Sequence, residues 1–118
     1  MTTIQRMETA GADLTPAGRK ATTIAGDPVE SWTALYEDEV VEVGVWQCTP
    51  GSFTSFWDGK IEAIHVIAGD GTLIEEDGTR HALTPGALVV MPAGARGTWE
   101  IRETLVKSYT ITQVPAAG

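Results

Sequence analysis

Residues 46–97 constrain the fold more than any other part of the chain, because turn-forming residues divide them into short apolar runs. Pro50-Gly51, Pro85-Gly86 and residues 92–94 stand between these runs. Proline cannot donate a hydrogen bond to a strand ladder, and glycine adopts the positive φ of a tight turn. Asp77-Gly78 is the dipeptide typical of a two-residue hairpin turn. The pattern therefore predicts short β-strands arranged as two hairpins that are joined by a turn at Asp77-Gly78.

Alternation of apolar and polar residues predicts where the strands lie. Val41, Val43 and Val45 fall on one face of such a strand. The opposite face carries Glu42, Gly44, Trp46 and Cys48. No segment of useful length has the period of a helix. We expect an all-β chain with strands at residues 31–36, 40–48, 53–57, 61–67, 72–75, 79–83, 88–91, 98–102 and 105–112.

The length of the chain limits the number of domains. Its 118 residues, of which 42% are hydrophobic, can build one core. Thirteen glycines and six prolines favour many short strands, as in a sandwich or a barrel. Residues 1–22 show no clear period and are predicted to form an arm or an edge strand, and residues 115–118 a frayed tail. The folded domain is predicted at residues 23–114.

The charge balance limits the partners. Sixteen acidic residues against eight basic ones give a formal net charge of −8 and a pI near 4.5. No cluster of Lys or Arg could follow a phosphate backbone, so we expect no nucleic-acid partner. The same balance argues against an anionic membrane surface, and no apolar run is long enough to cross a bilayer.

The cysteine content and the N-terminal residues predict the compartment. Residues 1–8 carry charges where a secretory signal would have a continuous apolar stretch. Cys48 is the only cysteine, so no disulfide can form within the chain and a reducing cytoplasm is predicted. We interpret Cys48 as a buried thiol that packs as a small hydrophobe, because no His lies near it in the sequence.

Several motifs together resemble one family. They are Gly44-Val-Trp-Gln-Cys-Thr-Pro-Gly51, Glu62 seven residues before Gly69, Thr84-Pro-Gly86, Pro92-Ala-Gly-Ala-Arg-Gly-Thr-Trp-Glu100 and Lys107-Ser-Tyr109. Over about residues 24–112 the chain resembles a single-domain cupin of the ureidoglycine-aminohydrolase-like class, whose relatives include the ethanolamine-utilisation cupin. The resemblance implies a small jelly-roll barrel of the RmlC-like type, with a pocket at one mouth. It also implies a homodimer formed through outer strands.

The metal-binding pattern of the cupins is not retained. That pattern supplies a divalent metal with two His and a Glu from a first motif and a third His from a second. Glu62 matches the Glu, and the last His position falls on Gly97. The two other His positions fall on Phe56 and Asp58 in one register, and on Trp57 and Gly59 in the other. Because such metals need three or four converging donors, we expect no metal and no other cofactor.

Strand alternation assigns residues to the predicted pocket. If Glu62 points inward, as the resemblance implies, His65 points outward. The same counting from Gly97 turns Trp99 inward, and Lys107 and Tyr109 share one face of the last strand. A Lys between apolar neighbours is expected to pair, and Glu62 is its candidate partner, either in an ion pair that only fixes the barrel or as part of a ligand site. The predicted pocket walls are Trp46, Phe56, Trp57 and Trp99.

Three functions remain open at this point. The first is binding of a small polar metabolite in a metal-free pocket that one carboxylate and one ammonium orient. The second is a metal-independent enzyme of the isomerase, lyase or amidohydrolase type for a ureidoglycine-like substrate. In that enzyme Glu62 is a general base with a pKa raised by desolvation, and Lys107 or Tyr109 stabilises developing charge. The third is a dimerising structural module whose barrel is filled by its own side chains.

Overall fold

The computed structural model describes residues 2–115, and all the regular structure in this range is β-strand. Its strands are β1 (Thr15–Arg19), β2 (Thr23–Gly26), β3 (Val29–Glu37), β4 (Val41–Cys48), β5 (Gly51–Phe56), β6 (Lys60–Glu75), β7 (Arg80–Leu83), β8 (Leu88–Met91) and β9 (Arg96–Gln113). No helix able to cross a membrane is found within this range. The predicted tail at residues 115–118 lies outside the described residues, apart from Pro115.

Two long strands form the spine of the fold. Strands β6 and β9 pair antiparallel along nearly their whole length, from Lys60 opposite Gln113 to Glu75 opposite Gly97. The other edge of β9 pairs with β4 in its C-terminal part and with β5 in its N-terminal part. The other edge of β6 pairs with β8 near its start and with β7 near its end. Both long strands therefore run through two halves of one curled sheet.

The strand order of each half follows from these pairings. The first half contains β1, β3, β4, β9, β6 and β8 in that order, and the second half contains β2, β5, β9, β6 and β7. All of the pairs are antiparallel. The sheet curls on itself as a small jelly-roll barrel, which confirms the predicted fold class.

The predicted breaks in the two long strands are wrong. Residues 61–67 and 72–75 belong to the single strand β6, and residues 98–102 and 105–112 belong to β9. The register shifts between Val66 and Gly71 by β-bulges, while pairing continues through Asp70 opposite Glu103. A bulge bends a strand without ending it. The polar residues at this bend interrupt the apolar alternation of the sequence, but they do not interrupt the pairing of β6 with β9.

The predicted turn at Asp77-Gly78 is present, but it closes a single hairpin of β6 and β7, so the prediction of two hairpins joined by this turn is wrong. At Asp77-Gly78 the Glu75 N–H donates to the Thr79 carbonyl at 2.8 Å and joins β6 to β7. At Pro50 the chain does not turn back, because β4 pairs with β3 and β9 whereas β5 pairs with β2 and β9. The turn at Pro50 thus carries the chain from one half of the sheet to the other.

The N-terminal part adds two strands that have little sequence signal. Strand β1 pairs with β3 at the edge of the first half, so residues 15–19 are an edge strand. Strand β2 pairs with β5, although residues 25–28 predict only a turn. Gly26, the last residue of β2, has φ of 75° and faces Gly51 closely. The predicted domain boundary between residues 22 and 23 stays a prediction.

The core lies between the two halves of the sheet. Its side chains come from the inward faces predicted by alternation, and Trp99, Ile101, Leu105 and Tyr109 of β9 are all buried. The remaining buried members of this cluster are Trp46, Cys48, Phe53, Trp57, Ile64, Val66, Leu73, Leu83 and Met91. His65 faces outward and is exposed, as alternation predicts.

Candidate ligand-binding site

One cavity of about 440 Å³ opens at a mouth of the barrel. All four tryptophans and all three lysines of the chain line it, whereas none of the arginines do. Three glutamates also line it, so its fixed charges balance. The charged and aromatic lining residues are Lys20, Glu30, Trp32, Glu42, Trp46, Phe53, Phe56, Trp57, Lys60, Glu62, Trp99, Lys107 and Tyr109.

A buried ion pair lies at the floor of this cavity. Lys107 Nζ donates to Glu62 Oε2 at 2.9 Å, and the two side chains are only 5% and 10% exposed. Trp57 Nε1 donates to the other oxygen, Glu62 Oε1, at 2.9 Å. The predicted contact between Glu62 and Lys107 is therefore present, and both oxygens of the carboxylate have a donor within the protein.

Aromatic rings enclose the ammonium group. Lys107 Nζ lies 4.4 Å from the ring centroid of Trp46 and 4.7 Å from that of Trp99. A cation over an indole face is attracted by the ring quadrupole, and more strongly where water is excluded. The two rings lie 6.0 Å apart at an interplanar angle of 42°. Lys107 is thus stabilised by one carboxylate and two indoles.

The acidity of Glu62 differs from the expectation for a general base. Burial alone would raise the pKa of Glu62. The charge of Lys107 and the hydrogen bonds from Trp57 and Lys107 outweigh burial, so the pKa lies below its usual value. The predicted rise of the pKa by desolvation is wrong, because the ammonium of Lys107 and the indole N–H of Trp57, a donor that the sequence did not predict, both favour the charged carboxylate. Glu62 is a carboxylate with little tendency to accept a proton.

The residues around Glu62 do not fit the metal that the resemblance implies. Among residues 2–115 no group of three or more His, Cys, Asp or Glu side chains converges as metal ligands would. The two carboxylate oxygens of Glu62 already accept hydrogen bonds, one from an indole N–H and one from an ammonium. Lys107 Nζ lies 2.9 Å from the carboxylate of Glu62, the one residue of the metal-binding pattern that is retained. A positive charge therefore already lies where a metal would bind this carboxylate. A divalent ion there would meet a repelling ammonium.

A second ion pair stands nearer the mouth. Lys20 Nζ lies 3.1 Å from Glu30 Oε1, and Trp46 Nε1 donates to the same oxygen at 2.8 Å. Lys20 Nζ also lies 4.8 Å from the ring centroid of Phe53. The indole of Trp46 therefore connects the two ion pairs, with its N–H bound to Glu30 and its face against Lys107.

Tyr109 and Cys48 are held in their protonated forms. Tyr109 Oη donates to Glu42 Oε2 at 2.5 Å, and burial together with this hydrogen bond raises the pKa of Tyr109. Burial raises the pKa of the Cys48 thiol to about 12. The interpretation of Cys48 as a buried, unreactive thiol agrees with this value. Neither group is suited to act as a base or a nucleophile near neutral pH.

The four predicted wall residues occupy two levels of the cavity. Trp46, Trp57 and Trp99 are buried at the floor, where Trp99 Nε1 donates to Ser55 Oγ at 3.0 Å. Phe56 is 41% exposed and lies at the rim, with the guanidinium of Arg96 3.8 Å from its ring centroid.

Gly97, which falls on the last His position of the cupin pattern, is half-buried. A Cβ atom at this residue would lie 3.0 Å from the side chain of Leu73.

Four charged lining residues escaped the sequence analysis. They are Lys20, Glu30, Glu42 and Lys60. Alternation could have found two of them, since Glu42 shares a face with Trp46 and Lys60 shares one with Glu62. Lys20 and Glu30 gave no such signal, because Lys20 lies in the connection between β1 and β2, and Glu30 lies just before the predicted strand at residues 31–36.

Replacing Glu62 by Gln tests the ion pair. Because the folded state lowers the pKa of Glu62, its stabilising contribution is complete above the unfolded value of about 4.3 and is lost as pH falls through the lower folded value. We expect Glu62→Gln to cost about 3–5 kcal/mol in free energy of unfolding near pH 7, since it leaves a buried ammonium without its counter-ion. The cost should shrink below about pH 4 in urea unfolding curves.

The double change Glu62→Gln with Lys107→Met is the matched control. It removes both charges and should recover most of the loss, since a buried pair often stabilises little relative to neutral side chains. Hydrogen bonds also lower the pKa values of three other carboxyl groups, those of Asp38, Asp70 and Asp77. These groups are present in every variant, so their contribution to the pH dependence of stability cancels in the comparison. A Glu62→Gln protein as stable as the parent from pH 4 to 8 would contradict the account.

Three solved structures illustrate what the chain is similar to. A DUF861-family protein of unknown function from Pseudomonas syringae pv. tomato is 26% identical with a TM-score of 0.79, over 90% of this chain and 46% of that one. EutQ of Clostridium difficile is 17% identical with a TM-score of 0.65, over 74% and 64%. Ectoine synthase from P. lautus is 16% identical with a TM-score of 0.65, over 81% and 68%. The chain spans under two thirds of the length of the first two relatives.

A family model gives the assignment that these structures alone do not. No protein of curated function matches the chain. The model described as EutQ-like cupin domain matches residues 35–109, which is more than half of the chain. The matched region begins in β3 and contains both Glu62 and Lys107. The protein belongs to the family of EutQ-like cupin domains.

Proposed function

We propose that the protein binds a small polar metabolite in the 440 Å³ cavity, where Glu62 and Lys107 orient the ligand. The observation that carries the proposal is the concentration of all the tryptophans and lysines of the chain on this one cavity. Ligand pockets of about 300–1,000 Å³ commonly combine aromatic walls with a few fixed polar groups. The proposed pocket works without a metal.

The walls of the cavity are fixed before any ligand arrives. The indole N–H groups of Trp46, Trp57 and Trp99 each have an acceptor within the protein, at 2.8, 2.9 and 3.0 Å. Phe53 stacks on Trp99 with ring centroids 5.8 Å apart. A pre-organised site loses little conformational entropy on binding, which favours affinity for a small ligand. The open volume also argues against a barrel filled by its own side chains.

A metal-independent enzyme for a ureidoglycine-like substrate is the second candidate. The observation in its favour is that Glu62, Lys107 and Tyr109 all line the cavity. Its difficulty is that the lowered pKa of Glu62 makes this carboxylate a weaker general base, and that the raised pKa of Tyr109 keeps its hydroxyl protonated. Ectoine synthase is an enzyme by its name, but its similarity to this chain shows only that the two share a fold. The geometry therefore favours binding over catalysis.

A thermal-shift screen against a metabolite library tests the proposed binding. At a ligand concentration of about 100 times Kd, the expected stabilisation is about 2.7 kcal/mol, or about 10 °C in Tm. Glu62→Gln should abolish most of the shift for the same ligand, since the neutral amide no longer fixes Lys107. Arg80→Met, at an exposed residue outside this cavity, should keep the full shift.

Two outcomes of the screen would contradict the proposal. One is a folded protein that no compound of the library stabilises. The other is a ligand whose shift is the same in the parent and in Glu62→Gln. Turnover of the ligand that is lost in Glu62→Gln would instead favour the enzyme.

We also propose that the protein forms a homodimer through the outer face of the first half of the sheet. The register aligns Tyr36, Val43, Thr110, Ala63 and Val90 in one row across five strands. Ser108, His65 and Leu88 continue this outer face in the next row. None of these residues is an acid, a Lys or an Arg. The outer face of such a sheet is ordinarily polar where it meets water.

Charge explains why a second copy suits this face. Each chain has a formal net charge of −8, so two copies repel one another over most of their surfaces. A contact through a face that lacks carboxylates keeps the acidic residues of both copies apart. Val90 and Leu88 are 55% and 74% exposed and would be covered in the dimer.

A cytoplasmic location stays a prediction based on the single cysteine.

The substitution Val90→Lys tests the dimer. It introduces a charge into the proposed interface at an exposed residue, so we expect a folded monomer in sedimentation velocity where the parent is a dimer. Ile24→Lys is the matched control, because Ile24 is a 60% exposed residue of β2 in the other half of the sheet. A monomeric parent, or a Val90→Lys protein that stays dimeric, would refute this interface.

A further inference from the structure

The charges that line the cavity are equal in number, but they are not all paired with one another. Lys107 pairs with Glu62 and Lys20 pairs with Glu30. This leaves one lysine, Lys60, and one glutamate, Glu42, among the lining residues. Within residues 2–115 neither of them takes part in an ion pair at 4.0 Å or less. In addition to the Glu62–Lys107 pair at its floor, the cavity therefore offers one further cation and one further anion to an incoming molecule.

The sheet places these two residues on opposite sides of one inner strand. Glu42 and Glu62 both stand opposite Ile111 of β9, one on each side of it. Lys60 is two residues before Glu62 on β6 and faces the same way. Strands about 4.8 Å apart with a rise of about 3.4 Å per residue separate the Cα atoms of Glu42 and Lys60 by roughly 12 Å. The side chain of Ile111, which also lines the cavity, stands between them.

We propose that the ligand of this cavity is a small zwitterion whose carboxylate binds Lys60 and whose ammonium binds Glu42. The inference rests on the proposed small-molecule function and names the class of ligand for that same site. The apolar part of the ligand spans Ile111 and rests against the indole floor. Both of its charges leave water on binding, and each meets a fixed charge of opposite sign.

A ligand with a single charge fits the site less well. A simple carboxylate would satisfy Lys60 but would bring another negative charge towards Glu42. Glu42 already lies beside Glu37, whose pKa is raised by its hydrogen bond and charge interaction with Glu42. A simple amine would relieve that repulsion but would add positive charge near Lys60, which already acts on Glu62 together with Lys107. A zwitterion adds no net charge to a balanced cavity.

The test uses matched series of ligands and isothermal titration calorimetry. The zwitterions are the ω-amino acids from glycine to 6-aminohexanoate. The one-charge analogues are the alkanoate and the alkylamine of the same chain length, and the ω-amido amides are the neutral analogues. We expect one zwitterion to bind at least about tenfold more tightly than both of its one-charge analogues, which corresponds to about 1.4 kcal/mol.

Two variants assign the ends of the ligand. Lys60→Met should weaken the best zwitterion and the alkanoate about tenfold and should not weaken the alkylamine. Glu42→Gln, which keeps an oxygen to accept the Tyr109 hydrogen bond, should weaken the zwitterion and the alkylamine and should not weaken the alkanoate. Arg80→Met makes the same change in net charge as Lys60→Met outside this cavity and should bind every compound as the parent does. Unchanged thermal unfolding of each variant shows that its fold is kept.

The outcomes separate the ligand class from the binding function. A one-charge or neutral compound that binds as tightly as the best zwitterion overturns the ligand class and leaves the pocket as a small-molecule site. A zwitterion whose affinity is the same in Lys60→Met and Glu42→Gln overturns the assigned contacts. If none of these zwitterions binds while the metabolite library yields another ligand, the class is wrong and the proposed function stands. If no compound of either set binds, the ligand class and the proposed binding function are both wrong.

Discussion

The buried ion pair between Glu62 and Lys107 is the interaction on which the interior of this barrel depends. It joins the two long strands, since Glu62 belongs to β6 and Lys107 to β9. In the register Lys107 stands opposite Val66 rather than Glu62, so its side chain extends along the sheet to reach the carboxylate. Removing two charges from water is costly unless each finds partners. Here an indole N–H and two indole faces complete the set, so the tryptophans and the ion pair require each other.

This arrangement places a buried positive charge, the ammonium of Lys107, directly beside the carboxylate of Glu62. The chain has the fold of the EutQ-like cupin domains, and Glu62, which the family resemblance matches to a metal-binding glutamate, is paired here with an ammonium. An ammonium has three directed protons and binds carboxylates as a compact point charge, whereas a metal would polarise a bound water. An ammonium, a carboxylate and aromatic faces in one cavity suit recognition through charge and aromatic surface, as in the proposed function. A lowered pKa of Glu62 is the electrostatic consequence.

The sequence was informative where the strands are regular. With Glu62 placed inward by the family resemblance, alternation put Trp99 and Lys107 inward as well. A Lys between apolar neighbours then implied a carboxylate partner, for which Glu62 was the candidate. Alternation failed at the bend around Gly69, where bulges let pairing continue through polar residues. It also missed the pair between Lys20 and Glu30, because strands β1 and β2 form only when distant partners in β3 and β5 are present. Such long-range pairings leave little local pattern to read.

The most direct test of the central claim is a titration of the purified protein with Mn²⁺ and Zn²⁺, followed by elemental analysis after desalting and by thermal unfolding. If the ammonium of Lys107 takes the place of the cupin metal, no stoichiometric metal should remain bound and Tm should not rise. One equivalent of metal that raises Tm, and that is lost in Glu62→Gln, would contradict the claim. In that case Lys107 would have to move away from Glu62 to admit the ion.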